Sequence, residues 1–114
     1  MGQKSERSHQ AGNRDYVYVG YRNSEGELLK LSTGVLPTES SLENNLNAIH
    51  HGLKKGFEDN YKEIIHETDN LDAFKVIKNL PLITPQEQEI AKIVKQIYIL
   101  LHDPRWICTI AYIN

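Results

Sequence analysis

The chain has 114 residues, of which 39% are hydrophobic and 25% are charged, and its formal net charge is −2. This length suits one small domain with a single core, and the composition is ordinary for a globular protein. The near-neutral charge excludes a strong overall field that would recruit nucleic acid or an anionic membrane, so any nucleic-acid role needs a local basic patch.

Two further features narrow the class of protein. No apolar stretch approaches the roughly 20 consecutive residues that a membrane-spanning helix needs, so no membrane association is expected. One cysteine, Cys108, excludes an internal disulfide and a cysteine-rich zinc site. It fits a reducing compartment, so we expect an intracellular protein of the cytoplasm or nucleus.

The first predicted elements follow a polar segment. Residues 1–14 are almost wholly polar, which predicts a disordered N-terminal arm and a single folded domain over residues 15–114. Two β-prone runs, YVYVGYR and ELLKLS, come next, and Asn23, Ser24 and Gly26 lie between them. Turn-forming residues between two such runs predict a β-hairpin.

A helix with a clear start follows the hairpin. Ser40 is the expected N-cap and Glu43 lies three residues on, which is the capping-box pattern. Apolar residues then recur at helical spacing, at Leu42, Leu46, Ile49 and Leu53. This spacing predicts an amphipathic helix whose apolar face packs on a sheet.

The second half of the chain continues the alternation of strands and helices. KEIIHET predicts a short strand and NLDAFKVIKNL a short helix. Thr84 as N-cap, with Pro85 at the first helical position, predicts a longer helix that extends to about His102. RWICTIAYIN predicts a last strand. The predicted order is therefore β-β-α-β-α-α-β, a mixed α/β sheet with packed helices.

Four segments in this order resemble the plant ribonuclease H-like, or reverse-transcriptase-like, domain family. They are YVGYRNSEGELL, NNLNAIHHGLKKGF, KEIIHETDNLDAFKVI and WICTIAYIN, and ETDN is their most specific element. The resemblance implies a ribonuclease H-like fold that lacks the family's first strand and last helix. It also implies the family's activity, which is hydrolysis of the RNA strand of an RNA–DNA hybrid with two Mg²⁺ ions.

The family holds its metals with four acids, whose positions can be compared with this chain. Two metals about 4 Å apart need several carboxylates that converge on one sheet edge. Asp69 lies where the family has the acid that ends its fourth strand. Asn45 stands at the position of the family's helical Glu, and Glu43 is the alternative ligand there. The first-strand acid has no match, because Asp15 begins the second strand, and the last-helix acid has no counterpart.

A single matching acid favours a non-catalytic protein. Mg²⁺ keeps its waters unless several ligands compete for it, so no cofactor is expected. We interpret Asp69 as the N-cap of the helix that follows, with a role as metal ligand as the alternative. Mg²⁺ is the expected cofactor only under that alternative.

The function that these residues predict is a binding or interaction module that retains contact with RNA or an RNA–DNA hybrid. Arg22, Lys54 and Lys55 are the candidate phosphate-contacting residues, although dispersed lysines are more often a solvated face. The alternative function is an active, Mg²⁺-dependent hybrid ribonuclease that uses Asp69 as a catalytic residue.

The missing first strand has a structural consequence. In the family this strand lies at the centre of the sheet, between the second and fourth strands. Without it, residues 16–22 must pair directly with residues 62–67, or both edges must pair with another molecule. The second arrangement predicts a homodimer that forms through exposed strand edges.

Overall fold

A computed structural model describes residues 4–10, 16–22, 25, 28–35, 41–79 and 88–113. Within these ranges the chain forms strands β1 (Lys4–Gln10), β2 (Tyr16–Arg22) and β3 (Leu28–Val35), helix α1 (Leu42–Glu58), strand β4 (Glu63–Thr68), helices α2 (Leu71–Lys78) and α3 (Gln88–Leu101), and strand β5 (Ile107–Tyr112). No helix in these ranges is long and apolar enough to cross a lipid bilayer.

The strands form one mixed sheet in the order β1-β2-β3-β4-β5. The first three strands pair antiparallel, whereas β3–β4 and β4–β5 are parallel pairs. Parallel neighbours need a crossover connection, and α1 makes it between β3 and β4, while α2 and α3 lie between β4 and β5. The predicted mixed α/β class is confirmed, and the predicted order of elements is confirmed from β2 onward.

Strand β1 differs from the sequence expectation. The composition predicts a disordered arm over residues 1–14, whereas the structure has Lys4–Gln10 paired antiparallel with β2. Composition misses this strand because KSERSHQ lacks the apolar alternation by which a half-buried strand is recognised. Its place at the edge of the sheet suits such a sequence, because charged residues on an edge strand discourage pairing with other molecules.

The centre of the sheet also differs from the expectation, because β3 lies between β2 and β4. Leu31 pairs with His66 and Thr33 with Thr68 in a parallel register. Leu29 and Leu31 are buried, which explains why this apolar strand, and not polar β1, takes the central place. Both β2 and β4 have neighbours on each side, so the edges from which the sequence predicts a homodimer are already paired.

The core lies between one face of the sheet and the helices. Strand β4 alternates buried and half-buried residues, as a strand with one fully covered face does. Helix α1 packs on β3 and β4 and against α3. The most completely buried large side chains come from both layers: Leu46, Ile49, Leu53, Ile64, His66, Thr68 and Ile97. The apolar face predicted for the first helix therefore faces the core, and α3 also buries apolar residues there.

The other helices differ in detail from the sequence expectation. Thr84 and Pro85 lie outside the described residues, and α3 is described from Gln88. In α2 the buried residues are Ala73 and Ile77. Leu71, the first residue of α2, is exposed.

Helix α1 approaches the sheet closely at Gly52. A Cβ atom at this position would lie 2.7 Å from Nε2 of His66 and 2.7 Å from Cδ2 of Leu31. Both distances are shorter than a carbon atom tolerates in a close-packed interior. The absence of a side chain at residue 52 therefore permits the observed separation between α1 and the β3–β4 pair.

Replacing Gly52 by alanine should destabilise the protein. The added methyl group has to displace His66 or Leu31, and overpacking of this kind typically costs about 1–3 kcal/mol, which exceeds the roughly 1 kcal/mol that alanine gains in a helix. Gly34→Ala is the matched control, because among the described residues no atom beyond its chain neighbours lies within 4 Å of a Cβ built at Gly34. Urea unfolding measures both variants, and equal losses of stability would contradict the close approach at residue 52.

Candidate functional site at the carboxyl edge of the sheet

The parallel strands β3 and β4 end at the same edge of the sheet, where α1 begins. Four polar side chains are buried in this part of the fold: Thr33, Asn45, His66 and Thr68. We refer to these four residues as the carboxyl-edge cluster. Threonine and asparagine side chains carry no charge, so the ionisation of His66 decides whether the cluster is charged.

His66 is a neutral side chain in the centre of this cluster. Its Nε2 lies 3.2 Å from Oγ1 of Thr33, and its Nδ1 has no hydrogen-bond partner among the described residues. Complete burial lowers the pKa of His66 to about 3, because the charged imidazolium would lose its hydration. The carboxyl-edge cluster is therefore uncharged at neutral pH.

Asn45 takes part in the start of α1. Ser41 is the N-cap, and its hydroxyl accepts a hydrogen bond of 3.1 Å from the backbone N–H of Asn44. The side-chain Nδ2 of Asn45 donates to the carbonyl oxygen of Ser41 at 2.8 Å. The prediction that Ser40 caps this helix with Glu43 is therefore wrong by one residue. Glu43 instead lies in the first turn, where a negative charge favours the helix dipole.

Asp69 follows β4 at the carboxyl edge and is exposed. The N-cap of α2 is Asn70, whose side-chain oxygen accepts a hydrogen bond of 2.8 Å from the backbone N–H of Ala73. The hydroxyl of Thr68 accepts a further bond of 3.1 Å from the backbone N–H of Asn70. The interpretation of Asp69 as the N-cap is therefore wrong. Its carboxylate lies at the surface beside the turn that Thr68 and Asn70 form.

Glu67, a further acid near this edge, is engaged on the opposite face of the sheet. Glu67 alternates with the buried residues of β4, so its side chain points away from α1. Its Oε1 accepts a hydrogen bond of 2.9 Å from the hydroxyl of Ser32, and its Oε2 lies 3.2 Å from Nζ of Lys30. Asp69 and Glu67, although two residues apart, therefore do not form a shared carboxylate site with the cluster.

The residues at this edge do not fit a pair of Mg²⁺ ions. Mg²⁺ sites are built from carboxylates together with water and substrate oxygens, and the buried donors here are neutral. Within the described ranges, no group of three or more His, Cys, Asp or Glu residues comes together to hold a metal ion. We therefore derive no catalytic step through a metal from this geometry.

The candidate basic residues lie elsewhere on the fold. Lys54 and Lys55 are exposed on α1, nine residues and more beyond Asn45, which corresponds to about 13 Å along the helix axis at 1.5 Å per residue. Lys55 Nζ lies 3.5 Å from Oδ2 of Asp59. Arg22 ends β2 and pairs with Leu29 of β3. The structure therefore does not bring these lysines to the carboxyl edge.

Three exposed basic residues, His51, Lys54 and Lys55, lie close together in the sequence of α1. The pKa of His50 is lowered by burial, by the neighbouring His51 and by the charge of Lys54. The same helix carries Lys55 at its exposed surface. We refer to His51, Lys54 and Lys55 as the basic turn of α1.

The sequence contained a signal for the buried cluster. In EIIHET, Ile64, His66 and Thr68 occupy alternate positions, so a strand places all three on the face of the apolar Ile64. Resemblance to a nuclease family directs attention to acids instead. The contact between Thr33 and His66 depends on the register of two strands that are far apart in the sequence. The local pattern of residues does not determine that register.

Comparisons with known proteins agree with this architecture. A family model described as reverse transcriptase-like matches residues 13–114. The crystal structure of RNase H1 from the halophilic archaeon Halobacterium salinarum is similar, with a TM-score of 0.58 and 13% identity over 98% of this chain and 83% of that one. The N-terminal RNase H domain of a Mycobacterium tuberculosis protein has a TM-score of 0.58 and 8% identity, over 100% of this chain and 88% of that one. No curated protein matches the sequence.

Acid should destabilise the protein through His66. Its folded-state pKa of about 3 lies below the ordinary value of 6.5, so the unfolded chain takes up the proton first as the pH falls. The contribution of His66 to stability is therefore complete above the ordinary pKa. Below it, the free energy of unfolding falls by up to about 1.4 kcal/mol per pH unit until the folded-state pKa is reached. His50, whose pKa is also lowered, adds to the slope in the same direction.

The variant His66→Gln isolates this contribution, because glutamine takes up no proton. Its unfolding free energy, measured in urea from neutral to mildly acidic pH, should fall less steeply than that of the wild type. The slope is the readout, so a general loss of stability in the variant does not affect the test. Identical slopes would show that His66 titrates in the folded protein at its ordinary pKa.

Proposed function

The chain belongs to the reverse transcriptase-like family, and we propose that it is a ribonuclease H-like module that binds RNA or an RNA–DNA hybrid without cleaving it. One observation supports the absence of cleavage. The carboxyl-edge cluster is neutral at the place where hydrolysis with two metals needs carboxylates. Membership of the family supports nucleic acid as the partner.

The hydrogen bonds of the cluster support a structural role for its members. Asn45 secures the first turn of α1 through the carbonyl of Ser41, and Thr68 secures the turn before α2. His66 and Thr33 are paired beneath α1. Side chains that are buried in this way are not available to a substrate. Binding must therefore use the exposed surface.

The basic turn of α1 is the surface that we assign to phosphate contact. Lys54 is exposed, whereas the charge of Lys55 is partly offset by Asp59. Lysine side chains bind phosphates mainly as point charges and release counterions, which makes the affinity strongly dependent on salt. We therefore expect weak binding that does not depend on nucleotide sequence, with Lys54 as the largest single contributor.

Exposure of Asp69 favours one alternative function. This residue presents an accessible carboxylate directly after β4, the position of a family acid. The alternative is a metal-dependent hybrid ribonuclease in which Asp69 is a ligand and Glu43 a second one. It requires ligands beyond those that the described part of the chain brings together.

A cleavage assay separates the two functions. Labelled RNA–DNA hybrid incubated with the protein and excess Mg²⁺ or Mn²⁺ should remain intact, while gel-shift or anisotropy measurements at low salt detect the bound complex. Asp69→Asn should leave binding unchanged, because Asp69 is remote from the basic turn. Cleavage by the wild type that is lost in Asp69→Asn would establish the ribonuclease alternative, and failure to bind either RNA or hybrid would remove the nucleic-acid role.

Removing the charge of Lys54 should weaken binding in a way that depends on salt. We expect Lys54→Gln to reduce the slope of log affinity against log salt by about 0.7–0.9, the loss of one phosphate contact. Lys95→Gln is the matched control, because Lys95 is an exposed helical lysine of α3. Fluorescence anisotropy over a salt series measures both slopes. An equal effect of the two variants would contradict the assignment of the basic turn.

A further inference from the structure

The outer edge of β5 differs from the other edge of the sheet. The described sheet has β1 at one end and β5 at the other. The sequence of β1 is KSERSHQ, which includes two cations and an acid, whereas that of β5 is ICTIAY. Charged residues and proline are the usual means by which an edge strand avoids pairing with another chain. Strand β5 has neither.

The backbone of β5 presents hydrogen-bonding groups on this edge. The N–H group of Ile107 donates to the carbonyl oxygen of Lys62, which precedes β4, at 2.9 Å. The N–H group of Ile113 donates to the carbonyl oxygen of Thr68, the last residue of β4, also at 2.9 Å. Backbone groups alternate in direction along a strand, so those of Cys108 and Ile110 point away from β4. No described strand pairs with that side of β5.

Exposed isoleucines flank the exposed Thr109 on one face of this edge. Ile107 is 64% exposed and Ile113 is 37% exposed. They lie at the two ends of the strand and, six residues apart, on the same face of the sheet. This is the face that carries Glu67, opposite α1.

We propose that β5 pairs antiparallel with β5 of a second copy of this chain about a two-fold axis at Ile110. In this register Ile110 faces its own counterpart, and Cys108 faces Tyr112 of the second copy. Ile107 of each copy lies opposite Ile113 of the other, so the dimer contains two such isoleucine pairs. The two exposed isoleucines thereby cover each other, and the two sheets become one continuous sheet.

Self-pairing is compatible with the charges of the strand. An antiparallel pair of identical strands brings like residues close to one another, and opposed like charges are destabilising. Strand β5 contains no charged residue, so this arrangement creates no such pair. A two-fold contact also closes on itself, which gives a dimer and not a fibre. This association is independent of nucleic-acid binding.

The experiment is a measurement of mass against protein concentration by sedimentation equilibrium. The wild type should change from monomer to dimer as the concentration rises into the high micromolar range. Ile107→Lys should remain monomeric over the same range, because it places a charge at both ends of the paired strands. Ile99→Lys is the matched control, since Ile99 is 58% exposed on helix α3 and is not part of the β5 edge, and it should dimerise as the wild type does.

A cross-linking experiment tests the register separately. In a Cys108→Ser background, a mixture of Ile107→Cys and Ile113→Cys chains should form a disulfide-linked dimer on oxidation, while either variant alone should not. A wild type that stays monomeric at high concentration overturns the proposal, as does equal dimerisation of Ile107→Lys and the wild type. Species larger than a dimer, or cross-linking within one variant alone, overturn the two-fold register.

Discussion

The structure depends on the close packing of α1 against the parallel β3–β4 pair. Gly52 lies over His66 and Leu31 with no room for a Cβ atom, so the helix and the two strands form a unit with a fixed separation. The two strands lie inside the sheet, with β1 and β2 on one side and β5 on the other. Both helix starts at the carboxyl edge, at Ser41 and Asn70, are positioned by this unit.

The same packing explains the chemistry of the carboxyl edge. Asn45 is buried, and its amide donates a hydrogen bond to the carbonyl of Ser41. An ionised carboxylate could not donate this bond, and burying its charge without a cation would carry a large desolvation cost. His66 is neutral for the same reason, since burial opposes protonation. The buried side chains at this edge are therefore neutral, and Asn45 and Thr68 hold the starts of α1 and α2.

Much of the fold could be predicted from the sequence, because the apolar periodicity of α1, β4 and α3 is strong. The family resemblance also identified Asn45 and Asp69 as residues at the carboxyl edge. Two features could not be predicted from local pattern. Strand β1 has a polar sequence and is recognised only through its pairing with β2, and the central place of β3 depends on long-range register. The predicted helix caps are wrong by one residue, because neighbouring residues suit the N-cap position equally well. Ser40 adjoins Ser41, and Asp69 adjoins Asn70, and serine, aspartate and asparagine are all favoured at an N-cap.

Binding of catalytic metal ions at the carboxyl edge can be followed by an NMR titration. Amide and side-chain signals of Asn45, Asp69 and their neighbours would be followed as Mg²⁺ is added to millimolar concentration. Because the buried donors at this edge are neutral, we expect small, unsaturated shifts that are confined to exposed acids. Saturable shifts at both Asn45 and Asp69, abolished in Asp69→Asn, would contradict it.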